Sequence, residues 1–142
     1  VKSYIVDVSK KMPIQSLVNS VLEDWGRIDP LVNCAKVKPK SSLMDMDDWD
    51  WQRTLDVNLT GVFLLMQSVG RVMSKQGGGA ILTIVTRPKA GSNQSAYGIS
   101  LAALLELSDQ ARAEFSIHNI KVDLIQADEI AEVVEMALTT SI

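Results

Sequence analysis

The sequence has a single cysteine, little net charge and no long apolar run, and each shortage excludes a class of protein. Cys34 has no partner for an internal disulfide, which fits a reducing compartment. The longest apolar stretches, at 62–66 and 101–105, are far shorter than a membrane span. A net charge of −3 gives no basis for binding nucleic acid. The first residues also lack the basic-then-apolar order of a signal peptide, so we expect a cytoplasmic protein without membrane insertion.

The composition is that of a globular protein. The 142 residues are 46% hydrophobic and 22% charged, which suits one domain over residues 1–142 with a core of its own. Repeats, linkers and low-complexity tracts are absent from the sequence. No arrangement of residue types indicates a metal site.

Strand-like and helix-like segments alternate along the chain, which predicts an α/β fold. The predicted strands are 1–8, 28–33, 80–85 and 120–126, and the predicted helices are 14–25, 44–76, 96–115 and 127–138. We expect Ser9 to cap the first helix and Gly26 to end it. Strands joined by helices are parallel, and neighbours in sequence usually pair directly. The prediction is therefore a Rossmann-like parallel sheet of about four strands with helices on both faces.

The stretch 77–105 organises the chain: a glycine turn, a buried strand, a polar loop and a helix that opens with Tyr97. This stretch resembles the short-chain dehydrogenase/reductase family, and in particular proteins similar to 3-oxoacyl-carrier-protein reductase. In that family a strand ends in a catalytic Ser or Thr, and a Tyr-x-x-x-Lys motif follows on a helix. Thr86 stands at the first position and Tyr97 at the tyrosine, whereas Leu101 stands at the lysine.

The segments Asp7-Val8-Ser9 and 26–36 carry the same resemblance further along the chain. It implies that Asp7 and Val8 flank an adenine ring, and that Asn33 and Ala35 pass beside the cofactor. The family's helical Asn, whose backbone holds a water in the proton relay, corresponds to Asn58. An Asn inside a helix is otherwise unfavourable, because its side chain competes for backbone hydrogen bonds.

Four departures from the family pattern argue against catalysis. The family's opening strand and glycine-rich turn, which hold the cofactor pyrophosphate, have no counterpart here, and its substrate loop after the strand at 120–126 is missing. Lys36 replaces a glycine. Leu101 can neither bind the nicotinamide ribose nor lower the pKa of a phenol, of which only about one in a thousand is ionised at pH 7. Losing two or three pKa units of such tuning costs roughly 3–4 kcal/mol.

The loop with Lys36, Lys38 and Lys40 has two interpretations. The lysines either form a solvated basic loop or build an anion site in place of the cofactor. Sequence alone leaves both open.

Three functional hypotheses remain. The first is a degenerate domain without catalysis of its own and without a cofactor, acting as a structural or protein-binding subunit. The second is a fragment of an NAD(P)-dependent oxidoreductase that reduces a carbonyl or oxidises an alcohol. The third is an anion-binding module that uses the lysine loop. The family pairs two helices with a second subunit, so we also expect helices 48–75 and 96–116 to dock to a copy of this chain or to another protein.

Overall fold

A computed structural model describes residues 1–127, which form a parallel sheet with helices packed against it. The elements in chain order are α1 (Lys11–Trp25), β1 (Pro30–Asn33), α2 (Asp48–Leu55), a π-helical turn (Asp56–Thr60), α3 (Gly61–Gln76), β2 (Gly79–Thr86), α4 (Ser95–Phe115), a 3₁₀ turn (Ser116–His118) and β3 (Ile120–Ala127).

The sheet has the order β1-β2-β3 with all pairs parallel. Val32 pairs with Leu82, and Leu82 pairs with Asp123. The chain therefore forms two consecutive β-α-β units that advance in the same direction. Right-handed crossovers of this kind place both connecting helices on one face of the sheet.

The main core lies on that face. Ile81 and Val85 of β2 and Val122 of β3 point into it, and they contact apolar side chains from α1, α3 and α4. The alternate residues of the strands, including Ile84, form a separate small cluster on the other face. Within residues 1–127 the helices of the core cover one face only. The prediction was of helices on both faces, and the predicted helix at 127–138 lies outside the described residues from 128 onward.

The predicted helices at 14–25, 44–76 and 96–115 are confirmed with small shifts at their ends. Gly26 ends α1 with φ 75°, and its N–H donates to the Leu22 carbonyl at 2.8 Å. Ser9 does not cap α1, since its hydroxyl donates to Asp7 at 2.6 Å instead. The long helix begins at Asp48 rather than at 44, because the Asp47 side chain caps it by accepting the Asp50 N–H at 2.7 Å.

The prediction of a strand at 1–8 is wrong. This segment makes no sheet ladder with β1–β3 and lies beside α1, where Lys2 and Tyr4 bond to Asp24. The physical reason is that an extended segment gains little without a neighbouring strand to pair its backbone groups. The sheet of the described chain consequently has three strands, not four, and direct pairing of 1–8 with β1 does not occur.

Candidate functional site

The candidate site lies where β1 and β2 end and α4 begins, the edge of a parallel sheet at which ligands commonly bind. Thr86 is the last residue of β2, and Tyr97 is in the first turn of α4. Their hydroxyl oxygens are 3.4 Å apart. The structure thus brings together the two residues that the sequence placed at the catalytic positions.

Both hydrogen-bonding functions of the Tyr97 hydroxyl are engaged by the backbone of Thr86. The hydroxyl donates to the Thr86 carbonyl at 2.7 Å and accepts the Thr86 N–H at 3.1 Å. The side chain of Tyr97 is only 1% exposed. In this conformation Tyr97 fastens the end of β2 to α4, and its proton is not directed toward a substrate.

Asn58 lies in the π-helical turn and is buried. Its Oδ1 accepts the Val37 N–H at 2.8 Å, and its Nδ2 donates to the Val37 carbonyl at 2.9 Å. The same Nδ2 donates to Ser100 Oγ at 3.0 Å, and Ser100 in turn donates to the Tyr97 carbonyl at 2.7 Å. Asn58 therefore links the loop after β1 to α4. A π-turn inside a helix often marks a functional position.

Leu101 lies one turn beyond Tyr97 on α4 and is 7% exposed. Its side chain belongs to the main core together with Leu104. Position 101 therefore contributes apolar packing, and it presents no cation to the site.

The residues that the resemblance assigns to cofactor binding lie on two separate segments, one at the end of β1 and one before α1. Asn33 is buried at the end of β1, where its Nδ2 donates to Thr83 Oγ1 at 3.4 Å and its Oδ1 has no partner. Ala35 is exposed in the loop that follows. The carboxylate of Asp7 accepts hydrogen bonds from the hydroxyl and N–H of Ser9, which lower the pKa of Asp7 below its usual value.

The backbone of Val8 lies against the start of α3. Its carbonyl lies 2.8 Å from the place where a Cβ on Gly61 would stand. Any side chain at position 61 would force the segment before α1 away from the long helix. The hydrogen bonds described above join Thr86, Tyr97 and Asn58 to one another, and they do not extend to Asp7 or Val8.

Lys38 is the site residue whose position the sequence did not predict. Its Nζ donates to Thr86 Oγ1 and lies 4.7 Å from the centroid of the Tyr97 ring. Partial burial, followed by the charge of Lys89, lowers the pKa of Lys38 below its usual value. The only sequence feature that indicated a lysine at this site was the lysine at every second position of 36–40. This pattern does not show which of the lysines points toward Thr86.

Comparison with known proteins matches residues 1–139 to a family model described as Enoyl-(Acyl carrier protein) reductase. The chain belongs to the short-chain dehydrogenase/reductase family. It is 34% identical to the short-chain reductase protein NovJ of Streptomyces niveus over 89% of this chain and 52% of NovJ. It is 32% identical to a 3-oxoacyl-[acyl-carrier-protein] reductase of Thermotoga maritima over 88% of this chain and 52% of that protein.

The fold of this short-chain dehydrogenase/reductase domain matches solved structures of the family. The structure of NAD⁺-bound xylitol dehydrogenase superposes with a TM-score of 0.82 at 32% identity, covering 87% of this chain and 49% of the other. The chain spans about half the length of the curated relatives it matches.

The described residues offer one unpaired polar group, and no phosphate cradle, to a nicotinamide cofactor. The unpartnered Oδ1 of Asn33 is an acceptor at the strand edge where the family binds its ligand. Residues 1–127 contain no glycine-rich turn between a strand and a helix, so the pyrophosphate has no cradle among them.

Residues 1–127 contain neither a cluster of metal ligands nor a membrane-spanning helix. No three side chains of His, Cys, Asp or Glu are grouped so that they could hold a metal ion within this range. Among the helices of the same range, none is long and apolar enough to cross a membrane.

Proposed function

We propose that this chain is part of an NAD(P)-dependent oxidoreductase that reduces a carbonyl or oxidises an alcohol. The observation that carries the proposal is the pair of hydroxyls on Thr86 and Tyr97 at the carboxyl end of β2. Relatives that are 30% or more identical bear the names of dehydrogenases and reductases, which supports the same reaction class. The substrate stays open, since those names cover polyols and acyl-carrier thioesters.

Each residue has a role within this proposal. Asn33 and Ala35 hold the nicotinamide end of the cofactor, which supplies hydride when bound. The Thr86 hydroxyl donates a hydrogen bond to the substrate oxygen and polarises the carbonyl. Asn58 holds the loop after β1 in place, because its amide engages both backbone groups of Val37. The strand end and the loop then form one rigid wall of the site.

The test is an assay of the protein made from the complete reading frame that encodes this chain. Its oxidation of NADH and NADPH is followed with a panel of ketones, aldehydes and acyl thioesters. Substrate-dependent oxidation supports the proposal. Its absence across the panel, together with failure of both cofactors to bind, rejects it.

A second candidate is a domain without catalysis that acts as a structural or protein-binding subunit. Two observations favour it: Leu101 is packed into the core, and the Tyr97 hydroxyl is bonded to the Thr86 backbone. This domain would bind a partner protein and show no turnover. The assay above separates the two candidates directly.

Both candidates share a proposed docking surface on α3 and α4. An open groove of about 630 Å³ runs between these helices, with Phe63 and Phe115 among its lining residues. Phe63 is 43% exposed although it is a large apolar side chain. A second copy or another subunit that covers this groove would remove that apolar surface from water.

A cytoplasmic location also belongs to the proposal, and it rests on the single free Cys34.

A further inference from the structure

We infer that Lys38 is the proton-transferring residue of this site and takes over the task that the family assigns to its tyrosine and lysine. The inference rests on the proposed oxidoreductase function and names a residue for one step of it. Lys38 touches the Thr86 hydroxyl and the face of the Tyr97 ring, so its ammonium lies at the strand end where a substrate oxygen would meet Thr86.

The backbone fixes Lys38 in this place from both sides. Asn58 holds both polar groups of Val37, the preceding residue. Pro39 follows and restricts Lys38 to extended backbone. Two residues further along, the Ser41 N–H donates to the Asn93 carbonyl at 2.8 Å, which ties the loop to the start of α4. The lysine side chain therefore starts from an anchored loop and reaches inward, unlike its exposed neighbour Lys40.

Other groups near the substrate position are poorly placed to give a proton. The Tyr97 hydroxyl donates to the Thr86 carbonyl, so its proton is engaged by the backbone. Leu101 has no proton to give. Thr86 accepts from Lys38 and keeps its own O–H available for a substrate oxygen. Lys38 is thus the group at this strand end that combines a transferable proton with a side chain already turned toward Thr86.

The electrostatics favour proton release from Lys38. Desolvation by the surrounding protein penalises its charged form, and the ammonium of Lys89 on the loop before α4 repels it. The Tyr97 ring face, which attracts a cation, opposes these effects in part. The net direction is a lowered pKa for Lys38, which brings an amine nearer to the range useful in acid–base catalysis.

In the proposed reduction, the hydride and the proton come from different groups. When bound, a reduced nicotinamide cofactor would supply hydride to the carbonyl carbon, and Lys38 supplies the proton. An Nζ–H bond of Lys38 breaks as an O–H bond forms on the carbonyl oxygen, which leaves an alcohol and a neutral amine. Lys38 recovers its proton from water. In the oxidation direction the neutral amine accepts the proton of the alcohol.

The experiment compares four variants of the protein made from the complete reading frame. Lys38→Met removes the amine, and Lys38→Arg keeps the cation but cannot release its proton at working pH. Tyr97→Phe removes the phenol. Lys11→Met is the matched control, since Lys11 is an exposed lysine on α1.

We expect both Lys38 variants to lose roughly a hundredfold or more in kcat, with KM changed far less. Lys11→Met keeps the parent rate. Tyr97→Phe loses activity but less than the Lys38 variants do, because its hydroxyl positions Thr86 and does not give the proton. If the parent turns over and Lys38→Met has the same kcat, the role of Lys38 is overturned. The same holds if Lys38→Arg has the kcat of the parent. A parent without any turnover instead rejects the oxidoreductase proposal and the proton transfer that depends on it.

A second readout does not depend on activity. Lysines are reductively methylated with ¹³C-formaldehyde, and the methyl signals are titrated by NMR in parent, Lys38→Met and Lys11→Met. We expect one signal, lost only in Lys38→Met, to titrate below the ordinary lysine value of about 10.4. If the signal assigned to Lys38 titrates at that ordinary value, the environment that the proposal requires is absent and the proposal falls.

Discussion

The side chain of Asn58 bonds to both polar backbone groups of Val37, with Oδ1 at 2.8 Å from the nitrogen and Nδ2 at 2.9 Å from the oxygen. This pair of bonds joins the π-helical turn of the long helix to the loop after β1. It satisfies backbone groups that have no strand partner at this point. The bonded loop is the one that carries Lys38 to Thr86, so a buried amide on one element determines the position of a charge on another.

The first prediction concerns Asn58→Ala. The substitution leaves the Val37 N–H and carbonyl without their partners in a partly buried place, and it removes the bond to Ser100. We expect a loss of about 2–3 kcal/mol in the free energy of unfolding, measured by urea denaturation. Gln110→Ala, which removes an exposed amide from α4, is the control and should change stability by less than about 0.5 kcal/mol. Equal stability of the two variants would show that the Asn58 bonds contribute nothing.

The fold was predictable where periodicity and turn chemistry agreed. The apolar stripe that starts at Ile14 and the glycine at 26 predict the two ends of α1 to within three residues. The apolar run at 80–85 predicts β2. The segment 1–8 was mispredicted because its β-branched residues match strand composition, while strand formation depends on a neighbour that composition does not reveal. Asn58 was recognised as unusual inside a helix, but the sequence could not show that its amide would hold Val37.

The site was predictable as a set of positions and not as a set of contacts. The family motif and its spacing assign Thr86 and Tyr97 to the site, and in the structure their hydroxyl oxygens lie 3.4 Å apart. Which lysine of the loop reaches Thr86 depends on the path of the backbone through Val37 and Pro39, and periodicity carries no information about such a path. The engagement of the Tyr97 hydroxyl by the Thr86 backbone depends on a side-chain orientation that the motif does not specify.

The second prediction concerns the pH dependence of stability due to Lys38. Its pKa is lowered in the folded protein, so the unfolded chain binds more protons than the folded one between the folded pKa and about 10.4. The free energy of unfolding therefore rises with pH in this window, and the penalty for the buried charge is fully present below the folded pKa. We expect the parent to gain stability relative to Lys38→Met as pH rises through this range.

Urea denaturation at a series of pH values gives the free energy of unfolding of parent and Lys38→Met. The difference between these two free energies isolates the contribution of Lys38 from that of other groups. Lys11→Met, compared in the same way, serves as the control. A difference between parent and Lys38→Met that stays constant, or that moves in favour of the variant as pH rises, would contradict the prediction.

The third prediction concerns Leu101→Lys, which restores the family motif in sequence. Leu101 is packed in the main core, so the substitution removes apolar contacts and places an ammonium there without a carboxylate partner. We expect a loss of roughly 3 kcal/mol or more in the free energy of unfolding, and no gain in carbonyl reduction. Leu105→Lys, at a neighbouring exposed position, should be tolerated. An increase in turnover for Leu101→Lys would show that the site retains the family's original proton relay.

The fourth prediction concerns assembly through α3 and α4. If the groove beside Phe63 is covered by another subunit, the protein sediments as an oligomer or in a complex. Phe63→Asp places a charge in that contact and should shift the protein toward monomer in sedimentation velocity. Met44→Asp, at an exposed residue outside this groove, is the control. A parent that sediments as a monomer at high concentration, with no partner, rejects the docking surface.

The most direct test of the account is the rate of substrate-dependent oxidation of NADH or NADPH by the protein from the complete reading frame, compared between parent and Thr86→Val. The variant keeps the shape of the side chain and removes the hydroxyl that Lys38 and Tyr97 contact. Ser116→Ala, which removes an exposed hydroxyl after α4, controls for the loss of a hydroxyl elsewhere. We predict that parent and Ser116→Ala turn over at the same rate and that Thr86→Val is slower by roughly a hundredfold. Equal rates for parent and Thr86→Val, or no turnover in the parent with any carbonyl tested, would contradict the claim that this strand end is the reacting part of an oxidoreductase.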